Sequence, residues 1–257
     1  MTQARVVRSE YLKFWSLRSN RIMSCVVFLS IIGFAILDVA RGVYPAERAG
    51  FDSVSPSDGR FAIAGLMLLI VGALQATGEY GTGAARSTFT AVPSRLPVLW
   101  AKMIVFAVTV FTVTTIASFI AFFVTQSFLV KYQLNVALDA PGVLRAIIGS
   151  GLYLTAVGLV GIAVGWIMRR SAAAISTVAG TWVLLSTLVG LVLPSSARAH
   201  VIPYLPDQAG IEIVHQHPDS GVLSPWPDFC VLLGYVAVLT AVAILILRRR
   251  DALSESS

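Results

Sequence analysis

The sequence predicts an all-α integral membrane protein. Six transmembrane helices are preceded by an amphipathic helix, and a short cytoplasmic helical element lies between spans two and three. Three observations carry that prediction. Of the 257 residues, 56% are hydrophobic and only 12% charged, whereas a soluble domain of this size needs about 25% charged residues. The mean hydropathy is +0.81. Six runs approach the ~20 apolar residues that a helix needs to cross the hydrocarbon core, at about 22–40, 60–78, 101–128, 143–168, 171–193 and 228–247. The chain reads as a single transmembrane domain over 1–257.

The first 21 residues are basic and compatible with a helix. Val7, Tyr11, Phe14 and Trp15 follow the i, i+4, i+7, i+8 pattern and share one face, with Arg5, Glu10 and Lys13 largely elsewhere. A basic amphipathic helix with aromatic residues on its apolar face lies in the headgroup plane, so membrane lipid is its expected partner. The run Ile22 to Leu37 leads into Asp38 and Arg41 without a small-x-small cleavage site, which reads as a retained first span rather than a removed signal. The third run opens with Trp100 and Lys102, as an interfacial start does. Spans four and five are separated only by Arg169, Arg170 and Ser171, a tight turn.

Orientation follows from Lys and Arg placement. With the N-terminus inside, segments 1–21, 79–102, 169–170 and 248–257 hold thirteen basic residues and four acids, and the opposite segments hold six and nine. Both termini are therefore expected in the cytoplasm, and the net charge of +6 reflects topology rather than nucleic-acid binding. Cys25 and Cys230 lie in separate apolar runs without metal-ligand spacing and read as small packing residues.

The chemistry of an enzyme is not written here. The loop at 194–227 carries five of its prolines before Pro227, and all three histidines. His215 and His217 beside Glu212 and Asp219 lack the spacing and number of a metal site, so no metal and no cofactor are expected. No nucleophile elbow or zinc-protease motif occurs. The three lysines, Lys13, Lys102 and Lys131, follow Leu12, Ala101 and Val130. A phosphate loop needs its Lys after a Gly, so the chain has no ATP site of that kind. Ionisable residues keep to the span ends (Asp38, Glu79, Lys102, Arg145 and Asp228), which argues against a proton-driven carrier.

Two glycine patterns stand out. In span four, Gly151, Gly158 and Gly165 recur every seven residues, and Gly161 with Gly165 makes a G-x-x-x-G step. Such a face permits close helix approach, within the bundle or against a second subunit. Span five offers Gly180, Thr181, Ser186, Thr187 and Gly190 with the same ambiguity. The polar stretch ATGEYGTGAARSTFTAVPSRLP, from Ala76 to Pro97, joins spans two and three. Gly81 and Gly83 can turn with positive φ, Thr82 can cap a short helix over 85–92, and Pro93 and Pro97 bound it. The expectation is a glycine-hinged helical knob that docks a cytoplasmic partner.

The fragments RSEYLKFWSLRS, GEYGTGAARSTFTAVPSRLPVLWAK, YLPDQAGIEIV and SPWPDFCVLLGYVAVLTAVAILILRRRDA, in that order, resemble the permease subunits of type-2 ABC transporters, especially those of GC-rich Gram-positive bacteria. The resemblance spans the whole chain and rests on the set of four, since none is a catalytic motif. It implies a six-span half-transporter of the bacterial cell membrane, driven by a separate ABC ATPase subunit. The partner in the membrane would be a second copy or a paralogous permease subunit. It further implies that Glu79, Tyr80, Gly81, Thr82, Gly83 and Arg86 lie in a coupling loop docked on the ATPase, and Val7, Tyr11, Phe14 and Trp15 in an elbow helix. Tyr204 to Ile211 matches the external segment before the last span, which in many members holds short re-entrant or helical pieces; VHQHPDSG has no counterpart. The uncharged spans suggest export of an amphipathic or hydrophobic compound. A membrane anchor or sensory subunit that docks a partner without transport is the alternative, followed by a self-contained channel or carrier.

Overall fold

The computed structural model describes residues 3–40, 54, 59–81, 96–217 and 223–255. Among them all long elements are helices: α1 (Gln3–Ser16), α2 (Arg18–Ala40), α3 (Gly59–Gly81), α4 (Leu96–Leu129), α5 (Val143–Met168), α6 (Ser171–Val192), α7 (Ser195–Val201) and α8 (Pro225–Glu255). Single 3-10 turns occupy Val130–Tyr132, Ile202–Tyr204 and Ile211–Val214. Six helices, α2 to α6 and α8, contain stretches long and apolar enough to cross a membrane. The protein is an all-α, multi-pass membrane protein. Of the loop expected over 79–97, residues 79–81 and 96–97 continue the flanking helices, whereas 82–95, with the short helix expected over 85–92, lie outside the described residues, as do the side chains of Glu79 and Tyr80.

The bundle is organised around α5, which touches α3, α4, α6 and α8 and the 211–214 turn. Seventy-eight per cent of its apolar window is buried, against 50% for α3 and 44% for α4. Its small residues make that possible. A Cβ placed on Gly161 would stand 2.2 Å from the Leu69 carbonyl oxygen, and one on Gly165 2.7 Å from that of Ala73. One on Gly158 would meet the Phe106 ring at 2.5 Å, and one on Gly151 the Thr115 hydroxyl at 2.0 Å. Across the groove, Gly72 of α3 faces the Gly158 carbonyl so closely that its own Cβ would stand 2.2 Å away. With lipid outside, close backbone approach and the dispersion contacts it brings are what hold helices together. The glycine face of span four is thus spent within the chain, against α3 and α4.

Short connections fix neighbouring helices. Leu17 alone separates α1 from α2, and its carbonyl accepts from the N–H groups of Asn20 and Arg21 at 3.2 and 3.4 Å. The α5–α6 turn is made by Arg169 and Arg170. Arg169 takes a left-handed conformation (φ 59°) and its N–H closes α5 onto the Gly165 carbonyl at 2.9 Å. Arg170 is extended, and its carbonyl accepts the Ala174 N–H at 2.9 Å. The Ser171 hydroxyl donates to Thr77 Oγ1 at 2.9 Å and so pins the start of α6 to α3. Cys25 and Cys230, read from the sequence as small packing residues, are free and exposed in the single chain. A thiol is apolar enough to face lipid, so span membership alone does not place it inside.

Candidate functional site

The ends of α3 and α4 flank the polar stretch singled out in the sequence, and the structure joins these ends through a buried polar cluster. Lys102, in the second turn of α4, donates from Nζ to the backbone carbonyl of Gln75 at 3.1 Å. The same ammonium lies 3.6 Å from Oε2 of Glu10 on α1. The Gln75 side-chain amide donates to Asn20 Oδ1 of α2. Asn20 in turn donates from Nδ2 to the Phe14 carbonyl at 2.9 Å. Four helices therefore meet at one level. Glu10, Asn20 and Lys102 are 7, 7 and 6% exposed, so each depends on its partners. Breaking a buried pair by removing one charge destabilises a protein by about 3–5 kcal/mol.

This cluster explains how α1 sits. Its bundle-facing stripe is Val6, Glu10 and Phe14, spaced by four. Val6 packs with Val98 and Ala101 of α4, and half-buried Val7 joins them. Tyr11 and Trp15, at 50 and 36% exposed, look outward, with their rings edge to face at 6.5 Å. The sequence pattern put Glu10 off the apolar face; it lies within the buried stripe because Lys102 awaits it there. Of the four residues assigned to an elbow helix, Phe14 and Val7 turn toward the bundle and the two larger aromatics away from it.

Of the residues assigned to the loop between spans two and three, Glu79, Tyr80 and Gly81 form the last residues of α3. Thr82, Gly83 and Arg86 fall outside the described residues. Sequence reasoning missed Glu10, Asn20 and Gln75 as a unit and read Lys102 only as an interfacial start. One signal was available: Gln75 is the sole carboxamide in the second run, and an amide inside an apolar span marks a partner.

Beside the cluster, between α1, α2, α3 and α4, lies a cavity of about 310 Å³. Lys13, Ser19, Asn20, Gln75 and Lys102 provide its polar lining, and Leu17, Met23, Val71 and Leu74 its apolar wall.

The opposite end of the bundle is closed differently. The segment before α8, which the prolines marked as a loop, is seated on α5 and α8, with Ala209, Ile213 and Val214 completely buried. Arg145, at the start of α5, donates to the carbonyls of His215 and Gln216 at 2.9 and 3.0 Å. Asp228, at the start of α8, accepts the Glu212 N–H at 3.0 Å. Ser186 donates to Asp207, and Tyr235 to the Tyr204 carbonyl at 2.8 Å. Gly149 makes room for this seat: a Cβ there would be 2.4 Å from the Ile213 carbonyl oxygen. Two of the span-end charges seen in the sequence, Arg145 and Asp228, are thus clamps on the segment.

No model of a known protein family matches this chain, and no curated protein matches it.

Proposed function

We propose that this chain is the membrane-spanning subunit of a type-2 ABC transporter. A separate ATPase subunit drives it from the cytoplasmic side, and a second copy or a paralogous subunit completes the path. The observation that supports this reading best is the buried cluster of Glu10, Asn20, Gln75 and Lys102 at the root of the 82–95 segment. A push on a loop moves a bundle only if the loop's roots are stiff. Here the helices on either side of the segment are tied to each other and to the two helices before them. Movement of the segment would then reach α1 to α4 together rather than dissipate in one helix, as switching between two packings of the bundle requires.

The cargo in this reading is amphipathic or hydrophobic, because the spans present apolar and hydroxyl groups in place of charged ones. The clamped segment of 202–217 would close the outer end in the inward-facing state.

The test is coexpression with candidate ABC ATPase subunits from the same genome and purification through a tag on this chain. The expected result is a complex that hydrolyses ATP and, in liposomes, moves an amphipathic dye when ATP is supplied. Glu79→Arg should insert normally and lose the ATPase. Wild-type ATPase recovery and unchanged hydrolysis with that variant would remove the coupling role. Dye flux from this chain alone, without ATPase, would replace the reading with a self-contained carrier.

A further inference from the structure

We infer that the cavity between α1, α2, α3 and α4 is a binding site for the headgroup of an anionic membrane phospholipid. This does not rest on the transport reading; it follows from the lining and the location. At about 310 Å³ the space is far larger than the ~10–15 Å³ that holds one water, and its lining is divided as a lipid is. Half-exposed Lys13 offers an ammonium group, and Lys102, held by Glu10 and the Gln75 carbonyl, adds a second positive charge to the lining, while Met23 and Leu74 supply an apolar wall. A phosphate takes the first set and the upper part of an acyl chain the second.

The location fits the same ligand. The cavity lies against α1, whose outer side presents Tyr11, Leu12 and Trp15, the residue types that settle at a membrane interface. Charge selects among lipids. Among the described residues, 3–21, 79–81 and 96–102 together carry six basic residues and two acids, so this end of the bundle attracts net-negative headgroups and disfavours a choline cation. Glu10 lies 3.7 Å from Lys13 Nζ and 3.6 Å from Lys102 Nζ, so one carboxylate is shared by two ammonium groups and positions both.

Lys13 is the residue to change, since its side chain is 36% exposed and its loss does not strand a buried charge. Native mass spectrometry of the full chain in detergent, with phosphatidylglycerol or phosphatidylcholine added in small excess, reads the site directly. The expected result is one phosphatidylglycerol retained per chain in preference to phosphatidylcholine. Lys13→Glu should weaken retention by about tenfold or more, and Lys13→Arg should keep it, with its thermal unfolding unchanged. Equal retention of the two lipids, or equal retention by wild type and Lys13→Glu, overturns the inference. Displacement of the lipid by millimolar inorganic phosphate also overturns it, in favour of a free-phosphate site. If Lys13→Glu unfolds, Ser19→Glu, at an exposed helix position that lines the same cavity, makes the same charge test and must give the same loss.

Discussion

Helices α5 and α6 are consecutive, are joined by a two-residue turn, and are nearly equally apolar. Both carry glycines. Yet 78% of the α5 window is buried and only 6% of the α6 window. The difference lies in what the glycines meet. Gly151, Gly158, Gly161 and Gly165 of α5 lie against backbone carbonyls and side chains of α3 and α4, whereas Gly180 and Gly190 of α6 have nothing within 4 Å of the position a Cβ would take. Hydropathy reports that a helix can live in lipid. It does not report which neighbour it has, because lipid and protein interior are equally apolar.

The most damaging way to probe this contrast is Gly161→Leu. The Cβ alone would stand 2.2 Å from the Leu69 oxygen and 3.0 Å from Leu69 Cα. The obstacle is main chain, so no rotamer change relieves it. Overpacking a well-filled interior usually destabilises by about 1–3 kcal/mol and sometimes more, and a backbone clash belongs at the top of that range. The expected outcome is loss of monodisperse protein on size exclusion after detergent extraction. Normal yield and unfolding temperature would mean that α3 and α5 are not in register as described.

A smaller step is Gly165→Ala. Its methyl would meet the Ala73 oxygen and the Ala76 Cβ, both at 2.7 Å. The two helices would have to move apart, since neither obstacle is the end of a flexible side chain, and the better helix propensity of Ala returns up to about 1 kcal/mol. A net loss of about 1–2 kcal/mol, measured as a lowered unfolding temperature of protein that still purifies, is expected.

The same contrast shows what the sequence carries and what it leaves unsaid. The fourth apolar run, 143–168, and helix Val143–Met168 have the same limits, since Arg169 and Gly142 punctuate them. The third and last helices extend further than their apolar runs, to Leu96 and Glu255, because helical hydrogen bonding continues into the interface where hydropathy stops counting. Close approach by Gly158 and Gly161 was visible as spacing, but whether its partner lay in the same chain was not. The pairing within the polar cluster was invisible for a related reason: Gln75 and Asn20 are 55 positions apart, and Lys102 and Gln75 are 27 apart. No local pattern encodes pairs of that kind. In the segment before α8, the prolines announced a loop truthfully, while the burial of Ala209, Ile213 and Val214 depends on Gly149 leaving a seat on another helix.

The mildest substitution discriminates most sharply between a lone chain and a paired one. Gly180→Leu adds a side chain on an α6 surface that is open in the single chain. In a helix with only lipid beside it, the change should leave the unfolding temperature the same or raise it, with up to about 1 kcal/mol gained from propensity. A loss as large as that of Gly161→Leu would require backbone of another molecule against Gly180. Membrane assembly by a second copy or a paralogue would then run along α6, and a cysteine at Thr181, on the adjacent exposed position, should crosslink between chains in native membranes. If instead Gly180→Leu is silent and Thr181→Cys stays monomeric under oxidation, α6 faces lipid, and any partner in the membrane must use a different surface.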